Sequence, residues 1–335
     1  MLSFLLRRLL MLVPVLVGLT LIMFAIARLL PGDPVGLAAG PNATLAERAA
    51  LAQEFGLDRP VWEQYLSYVA GLTRGDLGRS LMTRRPVAED IATYLPATLE
   101  LVLAAMTIAL AVGLPLGLLT ALWRNRWPDY LSQVLAIGAI SMPRFFLGLL
   151  LQLVFAMWLM WLPLGGQLPI VTFPPPRVTG FVTLDAALAG EWQTLGAACR
   201  HLALPALALS LSPLAAIMRT MRAAAIDVMA RDYVTTARAL GLPRRKILLK
   251  TVGRNAISST LTVTGLYIGW LLGGTVLVET VFDWPGLGLY ATRAILSQDM
   301  MPVIGVALVS GLIFVFVNLA IDLAYGLVDP KVRYG

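Results

Sequence analysis

The sequence has one cysteine, Cys199, and one histidine, His201, in 335 residues. A single thiol excludes an internal disulfide and any metal site built from several cysteines. A single imidazole excludes HExxH and every other site assembled from several histidines. Lysine is almost as scarce: Lys246, Lys250 and Lys331 are the only three, and none follows a glycine. The chain therefore has no GxxxxGK[ST] phosphate loop, so any ATP consumed is hydrolysed by another chain. Charge of either sign is thin. Asp, Glu, Lys and Arg make up 13% of the residues, about half of the ~25% usual in a soluble domain.

What the chain has is apolar surface. Hydrophobic types reach 58%, and the 29 glycines lift that to about 67%, against ~45–50% with glycine in a soluble domain. A soluble fold of this size could not hide so much. A disordered chain, a nucleic-acid binder and a secreted disulfide scaffold all fit poorly, and an all-α polytopic membrane protein fits well. The net charge of +7 does not point to nucleic acid, because the basic residues gather in short segments between apolar stretches. That is the pattern that orients a chain in a bilayer and sets it against lipid.

A helix of ~20 apolar residues crosses the ~30 Å hydrocarbon core. Six stretches qualify: about 9–30, 97–122, 131–162, 201–221, 257–280 and 302–325. The first is too long for a signal peptide and lacks its small-residue cleavage site, so it reads as an uncleaved span. The second is expected to start after Pro96, a good first-turn residue. The third would extend ~48 Å as a straight helix, so it must tilt, protrude or kink at Pro143.

Arg and Lys fix the orientation. Arg7 and Arg8, Arg124 and Arg126, nine basic residues between Arg219 and Arg254, and Lys331 with Arg333 all fall on one side of six spans. That side is the cytoplasm, and both termini lie there. The opposite loop 31–96 is long, and long loops translocate largely regardless of charge. It reads as a folded outer subdomain. Thr44-x-x-Glu47 is a capping box whose helix stops near Gly56, and a second short helix runs from Pro60 to about Leu72. The resulting organisation is a first span (1–30), an outer subdomain (31–96), a membrane core (97–325) containing a cytoplasmic loop (222–256), and a tail (326–335).

That loop is the most informative stretch. Residues 230–256 read ARDYVTTARALGLPRRKILLKTVGRNA, too polar to span and too long for a turn. Asp232 to Leu240 suits a helix, Gly241 can end it, and Pro243 cannot continue it. A short helix on the membrane surface suits docking onto a soluble partner. A solvated basic loop touching anionic lipid is an equal reading.

This loop resembles the EAA loop of the permeases of ABC importers, in the peptide/nickel permease variant: DYVTTARALGL followed by RNA. ETVFDWPGLG, from Glu279 to Gly288, resembles a second segment of that family. LPGDP at 30–34, GLDRPVWEQY at 56–65, GDLGRSL at 75–81, YLPATLEL at 94–101 and YGLVDPKVR at 325–333 follow the same pattern in the same order. TGFVTLDAAL at 179–188, before HLALPALAL, most resembles the first of the two permease subunits of dipeptide systems. Two positions depart. Thr235 stands where the general EAA pattern has Glu, and Ser258-Ser259 replaces its closing Leu-Pro, which leaves the bend into the fifth span open.

The resemblance implies a type I (MetI-like) importer fold of six spans and no bound cofactor, with ATP and Mg on partner subunits. It implies a second permease subunit, two ATP-binding subunits and a periplasmic peptide-binding protein. It gives Asp232, Tyr233, Thr236, Ala237, Arg238, Gly241 and Leu242 to ATPase contact, the small Ala237 and Ala239 allowing close approach. It gives Phe282, Trp284, Pro285, Gly286 and Gly288 to a periplasmic gate segment. The cargo it implies is a dipeptide or short peptide, with oligopeptides, glutathione, haem or nickel chelates as alternatives.

Ionisable groups at membrane depth are functional suspects. Arg144 and Glu279 are candidates for the translocation path, Arg144 near the midplane and Glu279 at the outer face, where capping or pairing is its expected work. Arg28 and Glu100 are expected to snorkel. Trp158, Trp161 and Trp192 suit an interface belt. Gly113-x-x-x-Gly117 and Gly269-x-x-x-Gly273 permit close helix packing. A proton-coupled carrier would want a mid-membrane acid or His and an internal repeat, and an intramembrane enzyme would want a nucleophile–base pair. Neither pattern is present.

Overall fold

A computed structural model describes residues 2–29, 44–54 and 59–328. Helices dominate, and the one β-contact among the described residues is an isolated bridge between Arg79 and Pro86. In chain order the helices are α1 (Leu2–Leu29), α2 (Leu45–Glu54), α3 (Val61–Thr73), α4 (Val87–Leu122), α5 (Trp127–Ser141), α6 (Arg144–Leu151), α7 (Val182–Leu188), α8 (Trp192–Met229), α9 (Asp232–Ala239), α10 (Arg244–Lys246), α11 (Arg254–Val281), α12 (Leu287–Leu296) and α13 (Met300–Val328). Two π-helical stretches, Gln152–Trp158 and Ile247–Gly253, extend α6 and join α10 to α11.

Among the described residues four helices are long and apolar enough to cross a membrane, or five if α5 and α6 form one broken span. The break is sharp, at 108°. Pro143 causes it: Met142 ahead of the proline is driven to an extended ψ of 135°, as proline's ring demands of its predecessor. Of tilting, protruding or kinking at Pro143, the chain takes the kink, and it is a corner. Other boundaries move outward. Pro96 does not open the second span but lies inside α4, which begins at Val87. Neighbouring helices make interior prolines tolerable in such spans. The fourth span likewise starts at Trp192, not His201, and carries Pro205 and Pro213 inside it. The polar run after Pro243 is not a loop, since it coils through α10 and the π turns straight into α11.

The described residues divide into two compact units, one of residues 96–289 with 314–328, the other of residues 2–29, 44–54 and 59–95 with 290–313. In the first, α4 and α8 approach closely. A Cβ on Gly117 would press into Met218 and Met221, and one on Gly113 into Leu214 and Ile217, so the first small-residue pair works as expected. Of the second pair, Gly269 meets Phe314 on α13, while Gly273 faces nothing within 4 Å.

Glu100 does not snorkel. It is buried on α4 and accepts from the Thr183 amide at 2.8 Å and from Gln167 Nε2 at 2.9 Å, tying the 163–188 connection to the helix. Asp185 organises the same connection by accepting the amides of Thr179 (2.7 Å), Gly180 (2.9 Å) and Val178 (3.2 Å). Burial pushes its carboxyl up, but the Thr179 hydroxyl and these three amides outweigh that and leave it below the usual aspartate range. His201 Nδ1 lies 2.9 Å from the Gly165 carbonyl. Trp158, Trp161 and Trp192 are all exposed.

In the second unit the expected capping box is present. The Thr44 amide donates to Glu47 Oε2 at 2.8 Å, and the Glu47 amide donates to Thr44 Oγ1 at 3.3 Å. The Gly56 stop lies outside the described residues, while α3 starts directly after Pro60 as expected. Phe24 of α1 packs edge-on against Tyr65, ring centroids 5.5 Å apart. Burial lifts the neighbouring Tyr68 hydroxyl to about 12. Tyr290 donates to Asp90 at 3.0 Å and stacks on Tyr94, and burial followed by that hydrogen bond raises its pKa. Asp299 receives Ser80 Oγ at 2.6 Å and the Met82 amide at 3.0 Å. The side chain of Arg28 lies outside the described residues.

Candidate coupling and translocation site

The segment between α8 and α11 begins with an anchor. Arg222 near the end of α8 forms a two-pronged ion pair with Asp129 at the start of α5, Nε–Oδ1 2.6 Å and Nη2–Oδ2 2.7 Å. Asp129 also accepts the Asn125 amide and Gln133 Nε2. A count of basic residues cannot find this pair, because its members are 93 positions apart. Arg222 is thus a structural cation.

Next comes α9. Its inward face is set by spacing: Val234 and Ala237 lie one turn apart, are buried, and pack with Met221, Ala225, Ile247 and Val252. Ala237, expected at the partner surface, therefore faces the chain's own core. Asp232, Tyr233, Thr235, Thr236, Arg238 and Ala239 stand on the exposed side, and Leu242 is half-buried. Gly241 turns the chain at φ 72°, a left-handed value that costs a glycine little. Its amide bonds the Arg238 carbonyl and that of Leu242 bonds Ala237, which closes the helix end. Tyr233 on α9 and Leu240 just past its end are 47% and 75% exposed, large apolar tips on a mostly polar outer face.

At the other end of α11 lies the WPGLG segment. Helix α11 stops as the Trp284 amide reaches back to the Glu279 carbonyl at 2.8 Å, with Asp283 left-handed at φ 46°. Trp284 is buried and donates Nε1–H to the Ala97 carbonyl at 2.9 Å. Glu279 has no exposed surface. Its Oε1 accepts from Thr98 Oγ1 at 2.8 Å, and its Oε2 accepts from the amides of Gly288 at 2.6 Å and Leu289 at 3.2 Å. The carboxylate therefore caps the amino end of α12, where free N–H groups favour negative charge. Any side chain on Gly286 or Gly288 would occupy its place. Phe282 is buried too, and its carbonyl accepts the Gly166 amide at 2.8 Å. Pro285 is half-buried. The gate residues named from sequence thus converge on one buried node, which also encloses Glu279.

Arg144 is placed differently. It begins α6 just past the corner and lines an open cleft of about 530 Å³ with Pro143, Phe145, Trp270, Gly273, Gly274, Leu277 and Phe314. Gly274 lies ~30 Å along α11 from Arg254, so Arg144 sits toward the WPGLG end and not halfway along. No group of three or more His, Cys, Asp or Glu that could hold a metal occurs among the described residues.

Several long apolar helices, with a short, largely exposed helix packed between two of them, suit a membrane protein. The chain is a member of the family described as binding-protein-dependent transport system inner membrane component, matched over residues 113–334. The N-terminal counterpart of that family matches residues 1–102. This is a family of multi-pass inner-membrane transport permeases and not of enzymes. Among curated relatives, the protein named "Probable D,D-dipeptide transport system permease protein DdpB" of Escherichia coli is 44% identical over 97% of this chain and 95% of its own length. The "Di/tripeptide transport system permease protein DppB" of Pseudomonas aeruginosa is 43% identical over 100% of this chain and 99% of its own. The "Glutathione transport system permease protein GsiC" of Escherichia coli is 37% identical over the full length of both.

Proposed function

We propose that this chain is one of two permease subunits of an ATP-driven importer that moves dipeptides and other short peptides across the bacterial inner membrane by alternating access. Its partners are a DppC-like second permease, two DppD/DppF-like ATP-binding subunits and a DppA-like periplasmic peptide-binding protein. ATP and Mg stay on the ATP-binding subunits. The reading takes six spans with both termini cytoplasmic, the subdomain 31–96 outside, the core 97–325 in the membrane and the tail 326–335 inside. The observation that carries it is α9, anchored on one face by Val234 and Ala237 and bare on the other at Tyr233 and Leu240. Asp232, Tyr233, Thr236, Arg238, Gly241 and Leu242 form the ATPase contact, with Ala237 setting the depth of the helix. A rigid surface helix can carry a push from nucleotide closure into α8 and α11, which gives a two-state element biased from both ends. The node of Glu279, Phe282, Trp284, Pro285, Gly286 and Gly288 is the periplasmic gate.

The relatives carrying dipeptides and di/tripeptides in their names support the peptide class, and the glutathione relative supports a second reading within it. Uptake of labelled dipeptides, and separately of glutathione, by cells lacking this gene tests the proposal. Loss of dipeptide uptake is expected. Unchanged uptake in a strain with no redundant peptide importer would reject it.

A further inference from the structure

The structure sets Arg144 into an apolar cleft between long apolar helices. Its guanidinium lies against the bare backbone of α11. A Cβ on Gly274 would collide with it, so the glycine is what lets the charge lie flat there. The neighbouring Gly273 leaves open space beside it, and Phe145, Trp270 and Phe314 wall that space with aromatic rings. Trp270 is 69% exposed. No carboxylate among the described residues lies within ion-pair reach of Arg144. A cation among membrane helices ordinarily pairs with an acid or serves a permeating solute. Here the wall supplies no acid and plenty of apolar surface.

We propose that this cleft binds the α-carboxylate of the peptide in transit, with Arg144 as the anion-binding residue and the aromatic wall accepting whichever side chain precedes that carboxylate. This rests on the peptide-importer reading. Its chemistry suits a carrier of many sequences. Side chains vary between peptides, whereas the terminal carboxylate does not, and guanidinium pairs two-pronged with a carboxylate. The absence of an acid in the lining disfavours the other constant group, the α-ammonium, so the peptide's carboxyl end meets this cleft.

The test uses the whole transporter, purified in detergent without nucleotide or binding protein. The probe is Ala–photo-leucine, a dipeptide with a diazirine on its second residue, as free acid and as C-terminal amide. The free acid is expected to label the α11 peptide containing Trp270 and Leu277 at least fivefold more than the amide. Arg144→Gln should erase that ratio, and Arg144→Lys should keep part of it, with the second permease still copurifying. Equal labelling by acid and amide, or a ratio unchanged in Arg144→Gln, overturns the proposal. Loss of the second permease from Arg144→Gln also overturns it, assigning the cation to a subunit contact. Displacement of the label by anionic phospholipid but not by unlabelled dipeptide assigns the cleft to lipid instead. A wild-type complex that imports no dipeptide sinks the underlying reading, a result separate from the labelling ratio.

Discussion

Glu279 and Gly288 are nine residues apart, and the carboxylate of the first accepts the amide of the second at 2.6 Å across the turn that ends α11. Thr98 of α4 closes the arrangement, donating to Glu279 and accepting the Leu287 amide at 2.8 Å. Three elements therefore meet on a single buried acid. Glu279→Ala would strand the Thr98 hydroxyl and two amides, at a cost of about 1–3 kcal/mol for each group left unpaired. Glu279→Gln keeps one acceptor oxygen and should cost less. Thermal midpoints of the purified complex should fall in the order wild type, Gln, Ala. Equal midpoints for wild type and Ala would remove the node from the structural account.

Gly288→Ala should act at the same place by crowding. The added methyl would lie 2.5 Å from the Val276 backbone, and overpacking of this kind costs about 1–3 kcal/mol. Reduced stability is expected together with reduced transport per assembled complex. Full activity at normal stability would show that the turn can shift aside.

The Arg222–Asp129 pair can be read by a double-mutant cycle. Removing Arg222 leaves Asp129 buried and uncompensated, at a cost of about 3–5 kcal/mol, and removing Asp129 should cost less, because Arg222 is partly exposed; Arg222→Met with Asp129→Leu should recover much of the larger loss. The measurement is the denaturation midpoint of each single variant and of the pair. Strict additivity of the two single effects would mean that the charges do not act together.

Asp185 gives a pH dependence with a definite sign. Its folded pKa lies below the free value of 3.8, so its contribution is fully present above that value and is lost as pH falls through the folded pKa. The stability gap between wild type and Asp185→Asn should be constant from neutral pH down to about pH 5 and should close as the pH falls further. A gap that widens on acidification would contradict the hydrogen-bonding account.

Coupling should fail at the end of α9. Proline cannot adopt φ 72°, so Gly241→Pro should abolish peptide-stimulated ATP hydrolysis or detach the ATP-binding subunits while the spans stay inserted. Tyr233→Ala, on the exposed face, leaves the fold alone and should weaken copurification of those subunits. Normal assembly and transport in both variants would count against the docking role.

Local physics wrote itself plainly into the sequence. The Thr44–Glu47 box, the start at Pro60 and the stop at Gly241 each depend on a few adjacent residues, and each is found where the sequence puts it; the corner at Pro143 is one of three options that the length of the third stretch left open. The long helices were legible as spans but not in extent, because polar residues such as Glu89, Asp90, Arg200 and Arg231 near span ends read as loop in a hydropathy argument although helix continues through or up to them. The pairings were not legible at all. Arg222 with Asp129 and Glu100 with Thr183 depend on which helices lie side by side. Ala237 was misread for a related reason: its small size suits a contact on either face, and only the packing of Val234 beside it shows which face is buried.

The shortness of α9 has an evolutionary consequence. Eight residues make a rod ~12 Å long, and one narrow face of it, Val234 and Ala237, is already held by the chain's own core. On the proposed docking role, a soluble ATPase that gripped so small a tab would match only a handful of atoms, and altering two or three exposed side chains should suffice to change which ATPase it accepts.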